Sequence, residues 1–355
     1  MSLAAAHTQR AVIPHPNSRS ARWKARAIIV VLFVLFAIAL WQTVPVQPGA
    51  SGEGDASLFA AVTARIRINE PYYAAMGAEL RTRGYPAASV FNWRTPIHLQ
   101  AIAAAPRASA VLLIGLAIVA VAMTTSMLSK ISPELMLVAL FLQIGAAAAV
   151  LAPEALIVPE VWLGYLLLPS VAAHARGWHV AAALIGILAL FIRELAAPYC
   201  VICGLMAIRR HRWRELAVWA IGAMAFAVYF WVHWNSVQGH LHATDQAHVE
   251  PWLQFGGLPF VLGTIGFTGW LSEISPWGPA IGVVLISASA WAPTMPVHLK
   301  MTTFAYLVFF SAIGQVFNQY WGLITAPVWC LACGYGFSGL HQLLRRAFPH
   351  TTSGP

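Results

Sequence analysis

Residues 27–44 read AIIVVLFVLFAIALWQTV, an uninterrupted apolar run behind Arg10, Arg19, Arg22, Lys24 and Arg26. As a helix it is long enough to cross a hydrocarbon core of ~30 Å. The basic flank resembles a secretory signal, but the apolar part is too long and Val44-Pro45-Val46 is a poor small-residue cleavage site. The run therefore reads as a retained anchor with its basic side in the cytoplasm. Comparable runs recur near residues 108–128, 134–152, 157–174, 179–192, 195–208, 213–234, 279–295, 302–317 and 321–341. The chain is 59% hydrophobic and 9% charged, against roughly 25% charged in soluble domains. Period-two alternation is lacking, which excludes a β-barrel. The expected fold is an all-α polytopic transmembrane bundle of about 10 spans.

Counting from a cytoplasmic residue 1–26 tail, the inner connections carry Lys130, Arg176, Arg209, Arg210, Arg212, Arg214, Lys300, Arg345 and Arg346. Every short basic loop thus lands inside, and residues 345–355 form a second cytoplasmic tail. The formal charge of +9 is explained by this distribution, because the basic residues lie at span ends and not on one nucleic-acid-binding face. Two readings fix the count. Residues 179–208 are split at Arg193-Glu194, and the glycine-punctuated residues 256–275 are an outer-surface or re-entrant segment. The spanning domain covers residues 27–344. Its outer face gathers the 45–107 loop, the Arg193-Glu194 tip, the 235–275 segment and Phe317-Asn318-Gln319-Tyr320-Trp321.

The 45–107 loop concentrates charge: Glu53, Asp55, Arg65, Arg67, Glu70, Glu79, Arg81, Arg83 and Arg94. Leu58, Phe59, Val62 and Ile66 share one side of a helix, and Tyr72, Tyr73, Met76 and Leu80 share one side of a second. Both read as amphipathic helices lying in the membrane interface. Asn69 is the expected cap of the second, with Pro71 in its first turn and Gly84-Tyr85-Pro86 at its end.

Several groups carry chemistry. Asp55, at the head of the first loop helix, has the spacing of an N-cap, and a carboxylate on a glycine-flanked turn also suits a general base, with Glu53 as the fallback. Arg193 and Glu194 interrupt apolar sequence, where an ionised group costs roughly 2.5–3.5 kcal/mol on insertion scales. Adjacent helical residues do not face one another, so each is expected to find another partner, a substrate phosphate or a group in the first loop. Arg94, before the second span, suits bidentate phosphate binding or interfacial anchoring. Asn318 and Tyr320 suit sugar contact, capping or belt anchoring. His240, His242, Asp245 and His248 are candidate ligands for a divalent cation. The same segment holds H-x4-D, an acyltransferase pattern set aside because that motif belongs to soluble cytoplasmic domains. The pairs Cys200/Cys203 and Cys330/Cys333 lie in apolar helical runs and read as small hydrophobes on a helix face. Phosphate-loop, G-x-S-x-G and H-E-x-x-H motifs are missing.

The order Gly52-Glu53-Gly54-Asp55, Pro71-Tyr72-Tyr73, Gly84-Tyr85-Pro86, Asn92-Trp93-Arg94-Thr95-Pro96, Arg193-Glu194 and Asn318-Gln319-Tyr320-Trp321-Gly322 resembles the GT-C superfamily of membrane glycosyltransferases, in an uncharacterised bacterial branch. The resemblance spans most of the chain, through short motifs whose order is the specific part. It implies inverting transfer of a sugar from a polyprenyl-phosphate donor to a glycan, lipid or protein acceptor at the outer face of a bacterial plasma membrane. Asp55 would be the base, with Arg94 or Arg193 on the departing phosphate and Glu194 orienting that arginine or the acceptor. Tyr72, Tyr73, Asn318 and Tyr320 would contact substrate. The chain departs from larger members in lacking a soluble C-terminal domain and an adjacent acidic pair. The rivals are a lipid or solute carrier using Arg193 and Glu194 as gate or proton relay, and an assembly subunit.

Overall fold

The computed structural model describes residues 19–42, 54–128, 131–247 and 254–349. Every regular element among them is helical. The chain runs α1 (Arg19–Gln42), then the loop helices α2 (Asp55–Arg67), α3 (Tyr72–Thr82), α4 (Val90–Trp93) and α5 (Ile97–Ala104). It continues through α6 (Pro106–Leu128), α7 (Pro133–Ala148), α8 (Pro159–Ala175), α9 (His179–Ile192), α10 (Ala197–Arg209) and α11 (Trp213–Gln238). The last third holds α12 (Gly257–Ile265), α13 (Trp270–Glu273), α14 (Trp277–Ala288), α15 (Val297–Ala312) and α16 (Gly322–Ala347).

Each of the ten apolar runs coincides with one helix. Five stretches, Arg19–Gln42, Pro106–Thr125, Pro133–Leu151, Trp213–Gln238 and Phe317–Ala347, are long and apolar enough to cross a bilayer. The chain is a multi-pass membrane protein. Its outward surface agrees, since Val31, Phe33, Leu112, Ile118, Met224 and Trp231 are exposed on α1, α6 and α11, and such broad apolar exposure needs lipid around it. The shorter helices α9 and α10, of 14 and 13 residues, run only about 20 Å each at 1.5 Å per residue.

Helix α16 is the axis, packed on α7, α8, α1 and α14. Gly336 and Gly339 lie against the Leu285 and Ala288 carbonyls, where any Cβ would collide. Small residues let backbones approach this closely where lipid supplies no hydrophobic drive. Helix α1 is part of the bundle: Ala25 and Leu32 pack with Leu343 and Ala347, and Arg26 Nε donates to the Ala347 carbonyl at 3.1 Å. The start of α1 and the end of α16 therefore share one face of the molecule. Helix α12 has nine residues, roughly 14 Å of helix, too short to cross. It is buried against α14, α15 and the turn before α16, whereas Trp270 and residues 273–275 beyond it are exposed.

The loop helices correct an expectation. Leu58, Phe59 and Val62 of α2 and Tyr72, Met76 and Leu80 of α3 meet each other, with Trp93, Leu99, Ile102 and Val237, in a core separate from the bundle's. Their apolar faces are covered by protein, so neither helix lies with that face in the membrane interface. Arg65 joins the polar sides, pairing with Glu70 at 3.0 Å and Glu79 at 2.7 Å. Asn69, expected to cap α3, instead ends α2: its φ is 66°, and Glu70 N–H reaches back to the Arg65 carbonyl at 3.1 Å. Pro71 holds the position before α3. Gly84, at φ 70°, closes α3 as expected, letting Tyr85 N–H bond the Leu80 carbonyl at 2.8 Å in a Schellman-type turn.

Candidate active site

Asp55 is the first residue of α2, and the capping position belongs to Gly54, with no side-chain capping bond. The N-cap role expected of Asp55 is not the one it takes, and its carboxylate is free for tertiary contacts. The Tyr320 hydroxyl donates to Oδ2 at 2.7 Å and the Tyr85 hydroxyl to Oδ1 at 3.0 Å. Arg94 Nη2 lies 3.3 Å from Oδ2 and donates to the Tyr320 hydroxyl at 3.0 Å. Asp55, Arg94 and Tyr320, separated by up to 265 residues, thus form one knot. Burial, then the adjacent Asp55 charge and hydrogen bond, raises the Tyr85 phenol above its ordinary range, so it stays a donor. Burial opposes the Arg94 charge, but Tyr320, Asp55, Glu160 and Glu194 outweigh it and raise its pKa.

The backbone at Arg94 has φ 54° and ψ 160°, a region that glycine tolerates and other residues occupy at a cost of order 1–3 kcal/mol. Tyr72 holds it there, its hydroxyl donating to the Trp93 carbonyl at 2.7 Å and the Arg94 carbonyl at 3.2 Å. Tyr72 is buried, and its hydroxyl is spent on this backbone. Tyr73 packs in the loop core with its hydroxyl 3.1 Å from His233 Nδ1.

Arg193 is only 2% exposed. Its Nε lies 2.9 Å from Glu160 Oε1 and its Nη1 lies 3.0 Å from Glu194 Oε1. The expectation that Arg193 and Glu194 would not pair fails because the helix rule does not apply: Arg193 is extended, at φ −156° and ψ 127°, between α9 and a 3-10 turn over Glu194–Ala196. Glu160, wholly buried at the start of α8 behind Pro159, went unnoticed in the sequence. It reads there as an ordinary first-turn acid, and only its apolar surroundings hint otherwise.

Arg94 and Arg193 line one cleft with Phe59, Thr95, His98, Leu99, Pro159 and Ile192, with about 240 Å³ of empty space including its open mouth. Most of that space is open solvent, and the enclosed part is about the size of a water molecule. Buried Arg94 Nε makes no hydrogen bond, whereas Arg193 Nε and Nη1 are held in the ion pairs with Glu160 and Glu194. His98, another residue the sequence reading passed over, is held neutral: burial takes its pKa to about 3, helped by the Arg193 charge and opposed by a bond to the Leu156 backbone. The two guanidinium groups of the lining are paired with three carboxylates that do not themselves line it, Arg94 with Asp55 and Arg193 with Glu160 and Glu194.

Other expected residues do not join them. Asn318 is buried with Nδ2 unbonded and is not among the residues lining the cleft. Glu53 and His248 lie outside the described residues. The metal candidates do not converge either. Both Asp245 oxygens are taken by Arg81 at 2.8 Å, and His240 Nδ1 bonds the Ser236 carbonyl at 2.7 Å. His242 gives Asp245 only its backbone N–H, at 2.8 Å. That pairing, which also removes Asp245 from any H-x4-D role, lowers its pKa to about 2 through the Arg81 bonds. The four thiols are unpaired. No known protein family, curated protein or solved structure matches this chain.

Proposed function

We propose that the chain is an inverting membrane glycosyltransferase that takes a sugar from a polyprenyl-phosphate donor at the outer face of a bacterial plasma membrane. One observation carries the reading: a carboxylate from the first loop, Asp55, is oriented by Tyr320, Tyr85 and Arg94 beside a cleft whose wall holds a second guanidinium, Arg193. An acceptor hydroxyl displacing one tyrosine would place its proton on Asp55 as it attacks the anomeric carbon. The departing lipid phosphate would take the free Nε of Arg94 and compete with Glu194 for Arg193.

Ten crossings, with both termini in the cytoplasm, fit this reading. Asp55, Arg94, Arg193 and Tyr320 are all assigned outside by the positive-inside count; Arg94 meets Asp55 and Tyr320 and lines one cleft with Arg193. The end of α16 sits beside the start of α1, as a shared inner face requires. A second reading, a carrier with a proton relay, draws on the buried Glu160–Arg193–Glu194 set, since intramembrane ionised groups mark transport paths as well as active sites. Purified protein given radiolabelled polyprenyl-phosphate sugar separates the two. Donor consumption with release of polyprenyl phosphate supports the enzyme. Uptake into proteoliposomes without product supports the carrier and removes the catalytic assignment.

A further inference from the structure

A second polar cluster lies at the other end of α8 and α9. Glu160 and His174 are both on α8, fourteen steps of sequence apart, about 21 Å along the helix, and the same separation divides His179 from Arg193 along α9. At this far end His174 closes α8, His179 opens α9 beyond the Gly177 turn, and Glu215 stands in the first turn of α11. His174 Nδ1 and His179 Nδ1 face each other at 3.4 Å. Glu215 spans both, Oε1 3.7 Å from His174 Nδ1 and Oε2 4.0 Å from His179 Nδ1.

Hydrogen bonding alone leaves this set short of donors. Arg212 Nη1 donates to His179 Nδ1 at 3.0 Å, which makes that nitrogen an acceptor. The two imidazoles then share at most one long contact. Glu215 is almost fully buried; its Oε1 accepts a long bond from Trp219 Nε1 at 3.4 Å, and its Oε2 has no hydrogen bond, only Arg212 Nη1 at 3.6 Å; His174 Nε2 is also buried and unbonded. The His174 ring is fixed in plane by stacking on His298 at 4.0 Å and 4°. Three ligand-type atoms within 4.8 Å of one another need contract only slightly to reach the ~3.3–3.5 Å edges of a tetrahedral site with bonds of about 2.0–2.1 Å.

We propose that His174, His179 and Glu215 bind one divalent transition-metal ion of the zinc class, joining the α8–α9 turn to the start of α11. Arg212 is the competing cation. Its side chain is partly exposed and turns outward when the metal takes its place between His179 and Glu215. This site stands apart from the Asp55 cleft and does not depend on its chemistry.

The test uses tag-free, detergent-purified full chain, stripped with chelator and titrated with Zn²⁺, with bound metal counted by elemental analysis and affinity read by calorimetry. One ion per chain is expected. His179→Ala, a change at a partly exposed helix start, should weaken binding at least tenfold while the protein stays folded. Arg212→Ala should tighten it, which a purely structural histidine network would not do. Asp55→Asn should leave it unchanged. No Zn²⁺ binding, or a site whose affinity is indifferent to both His179→Ala and Arg212→Ala, overturns the assignment.

Discussion

Arg193 and Glu160 are each almost completely buried; the Glu160 charge is tolerated through Arg193, and the Arg193 charge through Glu160 and Glu194. Breaking such a pair leaves an uncompensated charge and costs about 3–5 kcal/mol, whereas removing both charges is often neutral. Arg193→Ala should therefore destabilise the protein by that amount in chemical denaturation, and Glu160→Gln with Arg193→Gln should recover most of it. A double variant no more stable than the single one would show that the pairing is not what holds Arg193. His98 adds a pH signature. Its folded pKa of about 3 lies below the ~6.5 of an unfolded histidine, so the unfolded chain binds the extra proton between those values. Stability should fall as pH drops from about 6.5 toward 3, and His98→Asn should flatten that slope. At this scale the sequence was informative where a charge stood in apolar surroundings, as for Arg193, or after a turn, as for Asp55 and Arg94. Glu160, Tyr85 and His98 were silent because an acid after proline, a tyrosine in a turn and a lone histidine each have a commoner explanation.

Among the elements, α3 is tied to the segment after α11 by Arg81, which pairs with Asp245 at 2.8 Å and donates to the His240 carbonyl at 2.7 Å. Arg81→Ala should release residues 239–245, seen as faster amide exchange there with α16 unaffected; unchanged exchange would make the pair incidental. The Asp245 carboxyl is held at about 2 against an ordinary 3.8. Its contribution is therefore full above pH 3.8 and lost as pH falls toward 2. Periodicity located α2 and α3 and their buried sides, because a helix repeats its faces every 3.6 residues. It was silent on what covers those sides, and a protein core such as the one around Trp93 looks the same in sequence as a lipid surface. The break at Arg193 was readable from the two charges alone. The pairing across it was not, since it depends on one extended residue.

Across the whole molecule, polar groups segregate to two ends of an apolar bundle: the Asp55 cleft at one and the His174 cluster with Arg212 at the other. This is the arrangement that inner and outer faces produce when basic connections stay in the cytoplasm. Ser57→Cys, two residues past Asp55 on α2, should react with a membrane-impermeant maleimide from outside intact cells. His341→Cys, near the end of α16, should react only after lysis. Labelling of both from one side would invert or break the topology. The places of the long apolar helices were legible because each apolar run lies on one helix, whereas the meeting of Asp55 with Tyr320, 265 residues away, was not. The most direct measurement is turnover of a radiolabelled polyprenyl-phosphate sugar by purified Asp55→Asn protein, with donor binding followed in parallel. The account predicts a loss of about 10²- to 10⁴-fold in rate, the usual worth of a general base, with donor still bound and the fold intact. Wild-type turnover in that variant would contradict it.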